Sequence, residues 1–163
     1  GNKYTSAKKI AIRGSSHGGL IVAAAVINRP ELFGAVEVNV GALDMLRFSQ
    51  FTVGATPTNI IEFGDVDKVL EFENLYSYSP YHNIETTVNY PSMLITTGAY
   101  DNRVPPLHSF KFAAKLQNNP AQKNPILLWT QKRTGHFGAI EMYDRLDETS
   151  YVYGFLFNEV HKN

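Results

Sequence analysis

The chain contains no cysteine, which excludes disulfide staples, thiolate metal sites and a cysteine nucleophile. It has no excess of either charge: Lys+Arg 15 balance Asp+Glu 15, for a formal net charge of +0 and a pI of about 7.2. Such a surface offers no electrostatic footprint for nucleic acid or an anionic membrane. No apolar run reaches the ~18 residues that cross a bilayer, and Gly1 to Thr5 hold no apolar signal region. The absence of cysteine does not by itself fix a compartment, cytoplasmic or periplasmic. There is no internal repeat, low-complexity tract or single-sign charge block, and only one tryptophan. What is present is an ordinary globular composition, 44% hydrophobic and 18% charged over 163 residues. That suffices for one domain, or a piece of a larger one, with a core of its own.

Along the chain, strand-like and helix-like stretches alternate. Residues 9–13 form a β-prone run ending at Gly14, and 19–27 are apolar nearly all round, which predicts a buried helix stopped by Asn28-Arg29-Pro30. A strand is expected over 35–40. Residues 41–91 are less regular: Asp44 is placed to cap a short helix through Leu46 and Phe48. A helix over 66–75 would use Val66, Val69, Leu70 and Phe72 as its apolar positions, and Pro57, Gly64 and Pro80 punctuate the stretch. The alternation then returns, with a strand over 92–97, an amphipathic helix over 107–117, a strand over 126–130 and a closing helix over 140–160. Continuous apolar strands alternating with helices imply an α/β fold with a mostly parallel sheet covered on both faces. Four strands are few for such a sheet, and the first would leave an apolar edge bare near Ile10 to Ile12. The expectation is a chain that forms the C-terminal portion of a larger fold. That edge would pair with an N-terminal part or with another copy. The alternative is a complete four-stranded domain.

Gly14-Ser15-Ser16-His17-Gly18 fits G-x-S-x-G, and it lies between a β-prone run and an apolar helix. This is the strand–turn–helix context in which a serine is held on a tight turn with its hydroxyl exposed. Only Ser16 has glycines two residues to either side, so it is the nucleophile candidate, and the His17 backbone N–H would serve the oxyanion hole. The bland alternative is a helix-capping serine. A serine hydroxyl needs a base, and the base a carboxylate, in the chain order serine, acid, histidine. Of His17, His82, His108, His136 and His161, only His136 stands in a glycine-rich loop shortly after the last strand. Asp101 lies just past the 92–97 strand; Glu37 and Asp44 come too early in the chain. Taken singly, Asp101 could be a turn-forming residue and His136 a solvated loop histidine. Their order and positions relative to the strands point to a Ser16-Asp101-His136 triad. No HExxH spacing or acidic cluster suggests a metal site, so no cofactor is expected.

Several strings resemble the prolyl oligopeptidase family: Gly14 through Gly19, Arg29 through Val36, Val40 through Phe48, Tyr78-Ser79-Pro80-Tyr81-His82-Asn83, Asp101 through Phe112, and Gly135-His136. The resemblance runs collinearly from about residue 4 to 157. It implies an α/β-hydrolase fold that cleaves short peptides after proline. Ser16 would be the nucleophile, Asp101 the orienting acid and His136 the base. Arg103 would bind a substrate carbonyl, and Val104 and Phe63 would line the proline pocket. In this family the catalytic domain begins well before the nucleophile, and an N-terminal β-propeller covers the active site. This chain would hold the last four strands and the whole triad. It would lack the upstream tyrosine that completes the oxyanion hole, so peptidase activity of these 163 residues alone is expected to be weak or nil.

The departures from the family pattern are Ser15 and His17 around the serine, Asn102 where a second aspartate is common, and Phe137 directly after the histidine. The segment Gly54 to Gly64 also has no tryptophan before Phe63; the one tryptophan is Trp129, in a strand. The altered pocket segment motivates an esterase or acyl-peptide hydrolase as the second reading. A non-enzymatic piece docking through its sheet edge is the third.

Overall fold

The computed structural model describes residues 4–51 and 54–162. Four parallel strands form one sheet in the order β1-β2-β3-β4: β1 Ala11–Ser15, β2 Ala35–Asn39, β3 Ser92–Gly98 and β4 Ile126–Gln131. The connecting helices are α1 His17–Asn28, α2 Pro57–Phe63, α3 Val69–Tyr78, α4 Leu107–Gln117 and α5 Met142–His161. Parallel pairing requires each connection to cross back over the sheet, which is what α1 and α4 do.

Alternation along β2 and β3 sends side chains to opposite faces. Val36, Val38, Met93 and Ile95 face one layer, where they join Ala23, Val26 and Ile27 of α1 and Phe112, Ala113 and Leu116 of α4 in the main core. Ala35 and Leu94 face the other layer and meet Val152 and Leu156 of α5. Further along β2 the α5-side face turns polar. Glu37 is buried and accepts from Arg13 Nε at 2.9 Å across the β1–β2 register pair, and Thr96 Oγ1 donates to Asn39 Oδ1 at 2.7 Å.

The structure differs from the sequence expectation in several places. β1 starts two residues later, because Ala7–Lys9 form a 3-10 turn from which Lys9 Nζ reaches the Val160 carbonyl near the end of α5. Helix α1 is not buried all round: Ile21 is 64% exposed on its outer side. The 41–50 stretch holds a turn, with a 3-10 turn at Phe48–Gln50, rather than a helix capped by Asp44. Asp44 does hold the turn, accepting from the Arg47 N–H at 3.3 Å. Finally, α2 occupies a stretch read as punctuation. Its Thr56 hydroxyl accepts from the Asn59 N–H and Pro57 takes the first helical position, a start signal in which proline has no amide to waste. Helix α3 begins at Val69 and buries Leu75, while Leu70 is 80% exposed, because α3 sits at the rim and not over the sheet.

A buried polar cluster ties the 40–48 loop to α4. Asp44, 1% exposed, contacts the Lys111 ammonium and Arg47 Nη1. Burial pushes the Asp44 carboxyl up, but its cationic neighbours, Lys111 foremost, outweigh this and hold it below its ordinary range. The Asp44 N–H donates to His108 Nδ1 at 3.1 Å. His108 is 1% exposed and its Nε2 has no hydrogen-bond partner among the described residues. Burial lowers its pKa from 6.5 to about 4. The folded protein therefore refuses a proton that the unfolded chain accepts, so stability present at neutral pH is lost as pH falls from 6.5 towards 4. The loss should be about 3 kcal/mol. Urea unfolding across that range should show the decline in the native protein and a clearly smaller one in His108→Gln. An equal decline in both would assign it to other groups.

Candidate active site

In a parallel sheet all strands end on one side, so the loops after β1, β3 and β4 are neighbours although far apart in sequence. The nucleophile candidate leaves β1 on a sharp turn. Ser16 has φ 57° and ψ −117°, a left-handed conformation that costs a non-glycine residue about 1–3 kcal/mol. The surroundings hold it there: its N–H continues the ladder to the Asn39 carbonyl at 2.9 Å, and its own carbonyl accepts from the Leu20 N–H at 3.1 Å to start α1. Ser16 occupies the N-cap position of α1, yet its hydroxyl makes no cap hydrogen bond. The capping alternative therefore fails at the atom it concerns.

Of the two glycines in the motif, only Gly14 is demanded by space. A Cβ there would lie 2.2 Å from the Gly18 carbonyl oxygen, whereas a Cβ at Gly18 would meet nothing within 4 Å. The close approach on the helix side is made instead by Gly19, against the Asn39 carbonyl and Gly41.

Asp101 lies one short turn beyond β3, 4% exposed. Its Oδ1 accepts from the N–H groups of Arg103 and Val104, each at 2.9 Å. Its Oδ2 faces His136 Nδ1 at 2.8 Å. The His136 loop follows β4 and crosses close to the end of β3, where a Cβ on Gly98 would lie 2.5 Å from the Gly135 carbonyl oxygen. Gly138, at φ 73°, and a bridge between Gly135 and Gly138 close the loop. On the far side of the ring, His136 Nε2 is 3.0 Å from Ser16 Oγ. A neutral imidazole satisfies both contacts when Nδ1–H donates to Asp101 and Nε2 accepts from the Ser16 hydroxyl.

The structure thus brings Ser16, Asp101 and His136 into one hydrogen-bonded chain. His17 is the first residue of α1, and its N–H, beside Ser16, has no acceptor among the described residues. Such a free N–H at a helix start is suited to a developing negative charge. Arg103 is exposed, with its guanidinium 5.6 Å from the Phe137 ring centre. Arg103, Phe137, Asn39 and Gly138 line a cleft of about 420 Å³ that also reaches Ser16 and His136. Val104 and Phe63 lie in a single apolar cluster with Leu20, Met45, Phe48 and Leu75. Val104 is buried within it, and Phe63 is half-buried at its margin.

The other histidines and acids do other work. His82 Nδ1 bonds the Ser79 hydroxyl at 2.8 Å, and His161 Nδ1 faces the Phe157 carbonyl. Glu37 is committed to Arg13 and Asp44 to Lys111. Trp129 stands edge-on to Tyr151 of α5, 5.6 Å away. Among the described residues no cluster of His, Asp or Glu could hold a metal, and no helix is long and apolar enough to cross a membrane. Sequence reasoning missed the two amides on Asp101; an aspartate two and three residues before the donors is the signal that could have located them.

The sequence profile of the prolyl oligopeptidase family matches residues 1–163. A prolyl oligopeptidase of Omphalotus olearius is 42% identical over 158 residues, covering 95% of this chain and 21% of that protein. A prolyl endopeptidase of Elizabethkingia miricola is 44% identical over 136 residues, covering 83% and 19%. Among solved structures, a prolyl endopeptidase superimposes with TM-score 0.93 at 41% identity, covering 98% of this chain and 23% of that one. Prolyl oligopeptidase B from Galerina marginata, bound to a 35mer hydrolysis and macrocyclization substrate, gives TM-score 0.89 at 37% identity, covering 98% and 22%. The chain spans about a fifth of the length of these relatives. With the family profile matched from end to end and the α/β architecture shared at this level of identity, the chain belongs to the prolyl oligopeptidase family.

Proposed function

We propose that this chain carries the reacting groups of a serine oligopeptidase that hydrolyses peptide bonds after proline through an acyl-enzyme. The observation that carries the reading is the single imidazole of His136 spanning Asp101 Oδ2 at 2.8 Å and Ser16 Oγ at 3.0 Å. Ser16 Oγ attacks the peptide carbonyl carbon while His136 Nε2 takes the hydroxyl proton. The carbonyl oxygen becomes an oxyanion facing the His17 N–H. Asp101, pinned by two backbone amides, keeps the tautomer and stabilises the imidazolium. Collapse breaks the C–N bond, and His136 returns the proton to the leaving amine. Water, deprotonated by the same ring, then releases the acyl group. Arg103 is placed to hold a substrate carbonyl, and Phe63 and Val104 belong to the apolar cluster that would receive the proline ring. The relatives' names, prolyl oligopeptidase and prolyl endopeptidase, support a short peptide substrate.

One observation favours a second reading, an esterase or acyl-peptide hydrolase: no tryptophan stands near Phe63, and Trp129 is engaged with Tyr151. A panel of acyl esters against proline amides separates the two. We also propose that these residues form the C-terminal part of the catalytic domain. β1 is an edge strand with residues exposed at alternate positions, and an edge of this kind invites a further strand.

Labelling by an organophosphonate should be complete at Ser16 and absent in Ser16→Ala; equal labelling of the two would remove Ser16 from the role. Asp101→Asn should lower the rate constant for acylation by about 10⁴ through the wrong tautomer, measured by pre-steady-state release of the leaving group; a loss under tenfold would overturn the orienting role. Gly98→Ala should push the His136 loop outward and lower the same rate with Ser16 and Asp101 untouched; an unchanged rate would show that the close approach does not position His136.

A further inference from the structure

The acyl-transfer steps use only the backbone of His17. Its side chain is exposed, yet it is not loose: the imidazole lies on the Phe63 ring, with centroids 4.6 Å apart and planes tilted by 31°. Phe63 in turn stands edge-on to Phe48 at 5.4 Å and 84°. Phe48 shares its cluster with Val104, whose N–H is bonded to Asp101. A continuous packed series thus runs from the residue after the nucleophile to the loop of the orienting acid. The cleft at Ser16 is lined by Arg103, Asn39 and Glu148 and not by this aromatic series, whose most exposed ring is His17.

A carbonyl attacked by Ser16, with its oxygen at the His17 N–H, places the side chain of the acyl residue within one residue's reach of the His17 ring. We propose that His17 is a specificity-determining residue: its imidazole, backed by Phe63, presents a flat face against which the ring of a proline at the cleaved position packs. The segment before Phe63 has no tryptophan to do this, and His17 is the aromatic side chain that directly follows the nucleophile in the chain. The inference deepens the acyl-transfer reading and rests on it.

The test compares two reagents that phosphonylate the same oxygen on the full chain. One is an N-acyl-proline diphenyl phosphonate, which expels phenoxide; the other is a small alkyl fluorophosphonate, which expels fluoride. In both, the Ser16 Oγ–P bond forms as the leaving group departs and His136 takes the hydroxyl proton. The ratio of their second-order rate constants reads preference for the proline ring, and any change in Ser16 reactivity itself divides out. In His17→Asn the ratio should fall about three- to tenfold, the size of one aromatic packing contact. In His17→Phe, which keeps a ring, it should stay within about twofold of the native value. An unchanged ratio in His17→Asn, or an equal fall in His17→Phe, would overturn the inference while leaving the triad intact. Failure of both reagents to label the native protein would instead overturn the acyl-transfer reading.

Discussion

The proposed chemistry depends on one imidazole reaching two partners at once. His136 meets a carboxylate on one ring nitrogen and a hydroxyl on the other, and each contact fixes what the other can be. A carboxylate on Nδ1 keeps the proton there, which leaves Nε2 free to take one. The carboxylate can do this because its second oxygen is already held by the amides of Arg103 and Val104. The hydroxyl can do it because the strained turn at Ser16 aims it away from the helix it would otherwise cap.

That arrangement rests on backbone proximity. β3 ends on Gly98, and the His136 loop passes over it at a distance that a methyl group would occupy. Gly14 plays the same part between β1 and the start of α1. The sheet supplies rigidity from beneath: Val36, Val38, Met93 and Ile95 are fully buried under α1 and α4. The Asp44–His108 cluster clamps the 40–48 loop to α4, the helix that follows the acid loop.

Much of this was legible in the sequence. Alternation of strand and helix marked every strand, and α4 matched its predicted span at both ends. The readings that missed did so for identifiable reasons. Residues 66–75 carry an apolar pattern, but α3 is at the rim, so Val69 and Leu70 face outward; periodicity reports a face and not what covers it. Helix α2 is hidden in the sequence because Pro57 reads as punctuation, whereas after a capping threonine it opens a helix. The start of β1 was misplaced because its first paired residue, Ala11, is set by its partner Ala35, and pairing is not written in one strand alone.

Reading along the chain was enough to locate the turn that isolates Ser16, the order of Ser16, Asp101 and His136, and a sheet covered on both faces. These follow from local spacing and hydrophobic period, which act over a few residues. That His136, 120 residues from Ser16, lies within hydrogen-bond distance of it emerges in the folded molecule alone. The same holds for the His17 ring resting on Phe63. Such contacts are made by the packing of the sheet and its loops, and a distance across the fold is a property of all the intervening chain at once.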